Sequence, residues 1–147
     1  MSNYINNDNV VCVKNALENQ EVCGKFLPTV YVIEPTSRCN IQCVMCPNKY
    51  ISNNNLGDMP LPLFEQITQT IGPFAEFVML YWLGEPLIHS KISEMLAIAR
   101  KNIKGKLIVS TNLTKVSDEI LNSLLDNTDI ILCSLDRWDE VAYERIR

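Results

Sequence analysis

Four short runs rich in β-branched and apolar residues, each followed by a stretch with helical spacing, constrain what this chain can fold into. Thr29 to Glu34 alternates β-branched and aromatic residues and reads as a strand. Glu76 to Leu83 is continuously apolar, the pattern of a strand buried on both faces. Lys106 to Ser110 and Asp129 to Leu135 read as a third and a fourth strand. Between them lie helical patterns. Pro60 and Pro62 flank the start of one that carries Phe64, Ile67 and Ile71. Ile92, Met95, Leu96 and Ala99 mark a second, which Gly105 ends. Ser117 is suited to cap a third, with Ile120, Leu121, Leu124 and Leu125 on it. Asp139 to Arg147 begins a fourth, and Val10 to Gln20 predicts a short helix ahead of the first strand. Crossovers of this length allow parallel pairing, so the class is α/β. Right-handed crossovers would put all four strand carboxyl ends on one side, the rim where α/β folds bind ligands.

The loop after the first strand carries Cys39, Cys43 and Cys46, spaced C-x3-C-x2-C and followed by Pro47. Three thiolates on one loop can hold three irons of a cubane cluster and leave the fourth iron open to a small ligand. The same thiolates could instead enter a structural zinc site, which needs a fourth ligand such as another cysteine or His89, or they could be unliganded. The chain has six cysteines, enough for a disulfide scaffold. Against that, the N-terminus is polar with no secretory pattern, so a cytoplasmic location with reduced thiols is expected. Net charge is −4 and the lysines and arginines are scattered, which argues against nucleic-acid or membrane-surface partners. No apolar run approaches the ~20 residues of a membrane span.

Residues Glu34 to Pro47, reading EPTSRCNIQCVMCP, resemble the cluster loop of the radical S-adenosylmethionine (radical SAM) enzymes. Three later segments stand in the order that family would place them: Leu83 to His89 (LGEPLIH), Ser110-Thr111-Asn112, and Ser134-Leu135-Asp136 with Tyr143 to Arg147. The resemblance covers roughly residues 28–147. Each motif falls just after a predicted strand, so all four share one rim.

The resemblance implies a partial (βα) barrel of six strands, a partial version of the TIM barrel, with four βα units present here. Residues 1–27 are then an N-terminal polar segment with a short helix. Residues 28–147 are the N-terminal part of a core domain that stops within its fourth helix. It implies a [4Fe-4S] cluster on Cys39, Cys43 and Cys46 and S-adenosylmethionine as the second cofactor. It also implies an oxidoreductase or transferase that cleaves this cofactor reductively to a 5′-deoxyadenosyl radical, which abstracts hydrogen from a substrate. Met45 would pack on the adenine, and a backbone edge at Gly84, Glu85 and Pro86 would receive the ammonium group. Thr111, Asn112 and Ser134 would lie near the ribose and carboxylate, and Arg147 would pair with the carboxylate. Partners would be an electron donor such as flavodoxin or ferredoxin and an unidentified substrate, a peptide or protein in the subclass that Ser134 to Arg147 most resembles. That subclass carries auxiliary clusters in a C-terminal extension.

The chain departs from the family pattern at three places. Leu83 stands where a glycine is common, and Leu113 and Arg137 stand where glycines often follow, so the two later loops are expected to differ in backbone. A non-catalytic iron–sulfur or zinc-binding fragment is the alternative reading. His89 is expected to pack or hydrogen-bond within its loop, Asp136 to be structural, Cys133 to be buried, and Cys12 and Cys23 to be incidental. Trp82 and Trp138 are expected in core or interface positions, and the fourth strand is expected to have an unpaired edge that promotes self-association.

Overall fold

The computed structural model describes residues 7–22, 24 and 26–147. Cys23 and residues 1–6 of the Asn-rich start lie outside the described residues. Helix α1 (Asn7–Glu18) precedes strand β1 (Val30–Ile33). Then follow α2 (Leu61–Ile71), β2 (Phe77–Leu80), α3 (Ile92–Asn102), β3 (Lys106–Thr111), α4 (Asp118–Asn127), β4 (Ile130–Cys133) and α5 (Glu140–Glu144). The four strands form one parallel sheet in the order β1-β2-β3-β4. This is the partial (βα) arrangement expected from the alternation of strand and helix patterns.

Helix starts follow local chemistry. Pro60 caps α2 and Pro62 sits in its first turn, where a missing N–H costs nothing. Ser117 Oγ accepts from Ile120 N at 3.3 Å at the head of α4, and Asp139 Oδ1 accepts from Ala142 N at 2.9 Å at the head of α5. Helix α1 starts earlier than the apolar spacing indicated. It ends before Gln20, whose φ of 56° is left-handed and breaks the helical run.

Helices α2, α3 and α4 pack side by side against one face of the sheet. Val78, Leu80, Leu107 and Val109 point to that face and are fully buried against Phe64, Met95, Leu96 and Leu124. Each such side chain stabilises the fold by about 1.5–3 kcal/mol. Alternate residues point the other way, and several stay open: Val32 is 47% exposed, Phe77 38% and Leu132 46%, while Ile108 on the inner strand β3 is buried. The expectation that the second strand is buried on both faces is therefore corrected. Its pattern alternates, because among the described residues the helices cover one face only. Cys133, expected to be buried, is exposed on the edge strand β4. Trp82 and Trp138 are not core residues either, at 64% and 91% exposed.

Candidate cofactor site at the carboxyl ends of the strands

The loop after β1 is fastened before it reaches the cysteines. Ser37 N donates to Gly57 O (2.9 Å), Gly57 N donates back to Ser37 Oγ (2.8 Å), and Met59 N donates to Pro35 O (2.8 Å). The hydroxyl of buried Thr36 donates to Asp58. Within the loop, Cys46 N donates to Cys43 O (3.0 Å), which folds the last two cysteines into one turn. Asn48 Nδ2 then reaches both Ser37 O (2.7 Å) and Leu83 O (3.2 Å), tying the cysteine loop to the loop after β2.

That second loop approaches very closely. Glu34, at the end of β1, accepts from Leu83 N (2.8 Å) and Gly84 N (3.0 Å) through one carboxylate oxygen. Glu85 N donates to Arg38 O at 2.8 Å. A Cβ on Gly84 would sit 1.8 Å from Thr36 O, so only glycine lets the two backbones meet. Glu34 opens the cysteine motif in the sequence. Its signal in the sequence, an acidic residue at a strand end before proline, says nothing of the backbone it serves 49 residues on.

Glu85 links the loops after β2 and β3. It is 4% exposed. Its Oε1 accepts from Thr111 Oγ1 (2.7 Å) and Leu87 N (3.0 Å), and its Oε2 accepts from Asn112 N (2.7 Å). The side chain thus orders two loops. Asn112 Nδ2 donates to Asn40 Oδ1 (3.1 Å) and lies 4.0 Å from Cys39 Sγ. Leu113 follows with φ 57°, a left-handed conformation that glycine adopts freely. Leucine holds it here at a cost of about 1–2 kcal/mol.

These loops enclose a cavity of about 470 Å³. Cys39, Cys43 and Cys46 line it together with Met45, Gly84, Glu85, Thr111, Asn112, Ser134 and Arg147. Tyr81, Trp82 and Asp136, to which the sequence assigned no ligand contact, line it too. Pro86 does not: it opens a buried 3-10 turn, Pro86–Ile88, behind the cavity wall. Arg147 reaches back to the cysteine loop, where its Nη1 donates to Cys43 Sγ (3.4 Å) and its Nε forms an ion pair with Asp136. That Nε is buried, and Asp136 is its ion-pair partner. Burial alone would lower the arginine's pKa, but Cys43 and Asp136 outweigh it and hold it above the ordinary value. Burial pushes the Cys39 thiol up, Glu85 and the other two cysteines add to this, and a hydrogen bond from Ile41 N–H opposes it.

The three thiols line one cavity, a donor set that a cubane cluster could take, one thiolate to each of three irons. Among the described residues no group of three His, Cys, Asp or Glu side chains forms a site for a single metal ion. His89 is not available as a fourth zinc ligand in this arrangement. It is buried, its Nε2 lies 3.1 Å from Met59 O, and its Nδ1 accepts from Lys91 N at 3.0 Å. This is the packing and hydrogen-bonding role expected of it.

The family model of the radical SAM superfamily matches residues 33–147. The chain belongs to the radical SAM superfamily. Iron–sulfur and S-adenosylmethionine binding go with that membership. The tungsten-containing aldehyde ferredoxin oxidoreductase cofactor-modifying protein of Pyrococcus furiosus is 35% identical over 108 residues, 71% of this chain and 30% of the relative. An uncharacterized protein of Synechocystis is 39% identical over 69 residues, 42% of this chain and 16% of the relative. This radical SAM chain therefore spans less than a third of the length of these curated relatives. Among solved structures, Streptococcus suis SuiB bound to the precursor peptide SuiA superposes with a TM-score of 0.71 at 20% identity, covering 95% of this chain and 31% of SuiB. BtrN in complex with AdoMet and 2-DOIA superposes at 0.64 and 20% identity, covering 82% of this chain and 56% of BtrN. At such identities these two matches show the fold. Among the described residues no helix is long and apolar enough to cross a membrane.

Proposed function

We propose that this chain is the cofactor-binding part of a radical SAM enzyme. The observation that carries this reading is one cavity shared by the three cysteines of the first loop and the polar rim of the three loops that follow. Cys39, Cys43 and Cys46 would hold a [4Fe-4S] cluster. Once reduced by one electron, such a cluster would supply the electron for reductive cleavage of S-adenosylmethionine, the radical chemistry of this family.

The chain's own residues bind and orient. The backbone edge at Gly84 and Glu85 receives the ammonium group, kept in place by the acceptor carboxylates of Glu34 and Glu85 behind it, while Pro86, behind the cavity wall, shapes the turn. Met45, exposed at the cavity mouth, packs on the adenine. Thr111, Asn112 and Ser134 face the ribose and carboxylate, and Arg147 supplies the cation for the carboxylate. Thr111 is the least free of these, since its hydroxyl is already given to Glu85. Residues 28–147 are assigned to the core domain and 1–27 to an N-terminal segment. The substrate class is a peptide or protein, a reading that rests on the likeness of Ser134 to Arg147 to the auxiliary-cluster subclass; SuiB, bound to its precursor peptide, is one example of that chemistry on this fold. Electrons come from a flavodoxin or ferredoxin in the cytoplasm.

Anaerobic reconstitution of the full-length protein tests this. About four irons and four sulfides per chain are expected. Cys39→Ala, Cys43→Ala and Cys46→Ala should each abolish binding, and Cys133→Ala should retain it. Added S-adenosylmethionine should change the electron paramagnetic resonance spectrum of the reduced protein. Stoichiometric zinc without iron, or a spectrum indifferent to S-adenosylmethionine, overturns the proposal.

A further inference from the structure

The three cysteine sulfurs have unequal surroundings. Cys43 Sγ takes a hydrogen bond from a guanidinium, Arg147 Nη1 at 3.4 Å. Cys39 Sγ has only the neutral amide of Asn112 at the long distance of 4.0 Å, and that amide already donates to Asn40 at 3.1 Å. Cys46 Sγ accepts from no side-chain donor among the described residues. The contact on Cys43 is also built rather than incidental. Arg147 is held by its ion pair to Asp136, and the residue before it is fixed to the same loop, where Val44 N donates to Ile146 O at 2.9 Å. The Arg147 side chain is 16% exposed, so its charge acts in a poorly hydrated setting.

We propose that Arg147 is a positioning residue for the cluster's electronics: its charge, delivered to the Cys43 thiolate, raises the affinity of the cluster for its electron. The inference rests on the reading of Cys43 as a cluster ligand. Reduction adds one negative charge to the cluster and its sulfurs. A cation hydrogen-bonded to one of those sulfurs stabilises the reduced form more than the oxidised form, and hydrogen bonds to sulfur are a recognised lever on such potentials. Asn112, neutral and distant, does the same more weakly at Cys39. No bond forms or breaks at Arg147; one electron enters from a poised electrode through mediators, and the arginine keeps its proton.

The test is a redox titration of the reconstituted full-length protein without S-adenosylmethionine, so that a carboxylate role for Arg147 does not enter. Arg147→Gln should lower the equilibrium constant for one-electron reduction about tenfold, a fall of about 59 mV for a one-electron couple. Arg147→Lys, which keeps the charge, should recover most of that loss. Asn112→Ala should change the constant by less than about threefold, on the scale of a neutral rather than a charge-assisted hydrogen bond. Lys101→Gln, a charge loss on the exposed side of α3, should change nothing and so separates the local effect from net charge. Arg147→Met gives a second neutral variant should glutamine impair cluster assembly. A full complement of iron in the neutral variants with an unchanged potential overturns the inference and leaves the cluster reading standing. A wild-type protein that takes up no iron overturns the reading itself.

Discussion

Two carboxylates tie neighbouring loops together at opposite ends of the sheet, and they do it with different partners. At the amino end, Asp129 binds two cations: its Oδ2 lies 2.8 Å from Arg100 Nη1 and its Oδ1 2.9 Å from Lys106 Nζ, and it also accepts from Leu107 N at 2.9 Å. At the carboxyl end, Glu85 is more deeply buried and has only neutral donors: one hydroxyl and two backbone N–H groups. The amino end closes its charges on itself, as a structural device does. At the carboxyl end the arginines pair elsewhere, Arg38 with Asp58 and Arg147 with Asp136, and no cation contacts the Glu85 carboxylate among the described residues. A rim arranged this way has its polar groups oriented before a ligand arrives, at a cost in stability that the other end does not bear.

The sharpest way to break this comparison is at the joint between the loops. Gly84→Ala would drive a Cβ into Thr36 O, which is backbone and cannot move aside alone. A loss of about 3 kcal/mol or more is expected, the upper range for overpacking, together with failure to assemble iron. Denaturant unfolding and iron analysis would check it; an alanine variant with wild-type iron content would show that the two loops need not touch.

Glu85→Gln asks whether the neutral donors need a full carboxylate. Glutamine offers one acceptor oxygen and turns an NH2 group toward an N–H or hydroxyl donor, leaving at least one buried donor unmet. The expected loss is about 1–3 kcal/mol, with weakened S-adenosylmethionine binding measured by calorimetry on the reconstituted protein. Unchanged binding would make Glu85 purely structural and erase the contrast with Asp129.

Asp129→Ala should cost a similar or smaller amount, about 1–2 kcal/mol, since its partners are less buried and the cations regain water. Iron content and S-adenosylmethionine affinity should not move. The wild-type protein carries a pH signature of this site. Burial pushes the Asp129 carboxyl up, but the Leu107 N–H, Lys106 and Arg100 outweigh it and hold the pKa below the ordinary 3.8. Its contribution is then fully present above that ordinary value and is lost as pH falls below it through the folded-state pKa. The alanine variant should lack this acid-limb loss; an identical acid limb in both proteins would assign the stability to other groups.

Much of this architecture was legible in the order of residues. The strand at Lys106 to Ser110 differs from the observed β3 by one residue, and Ser117 caps α4 as its type and place indicated. The apolar run predicts a strand to Leu83, but β2 ends at Leu80: apolar character continues past the last paired residue. There the ladder gives way to a bend whose N–H groups, at Leu83 and Gly84, turn to Glu34 instead of a neighbouring strand. The residues that the motifs singled out do meet around one cavity, with Pro86 behind its wall. The loop after β3 shows the limit of such reading: no residue type at 113 signals the left-handed conformation that Leu113 adopts.

The sequence by itself determined the succession of strands and helices and the grouping of three thiols on one short loop. Both are local: periodicity of side chains and covalent spacing act over a few residues. Only the tertiary structure decided which sheet face is open, that Glu34 serves the backbone of Gly84, and that Arg147 reaches Cys43 across 104 residues of chain. Such contacts depend on how parallel strands stack their carboxyl ends side by side. That arrangement brings distant loops within hydrogen-bond range while leaving no periodic trace in the residues themselves.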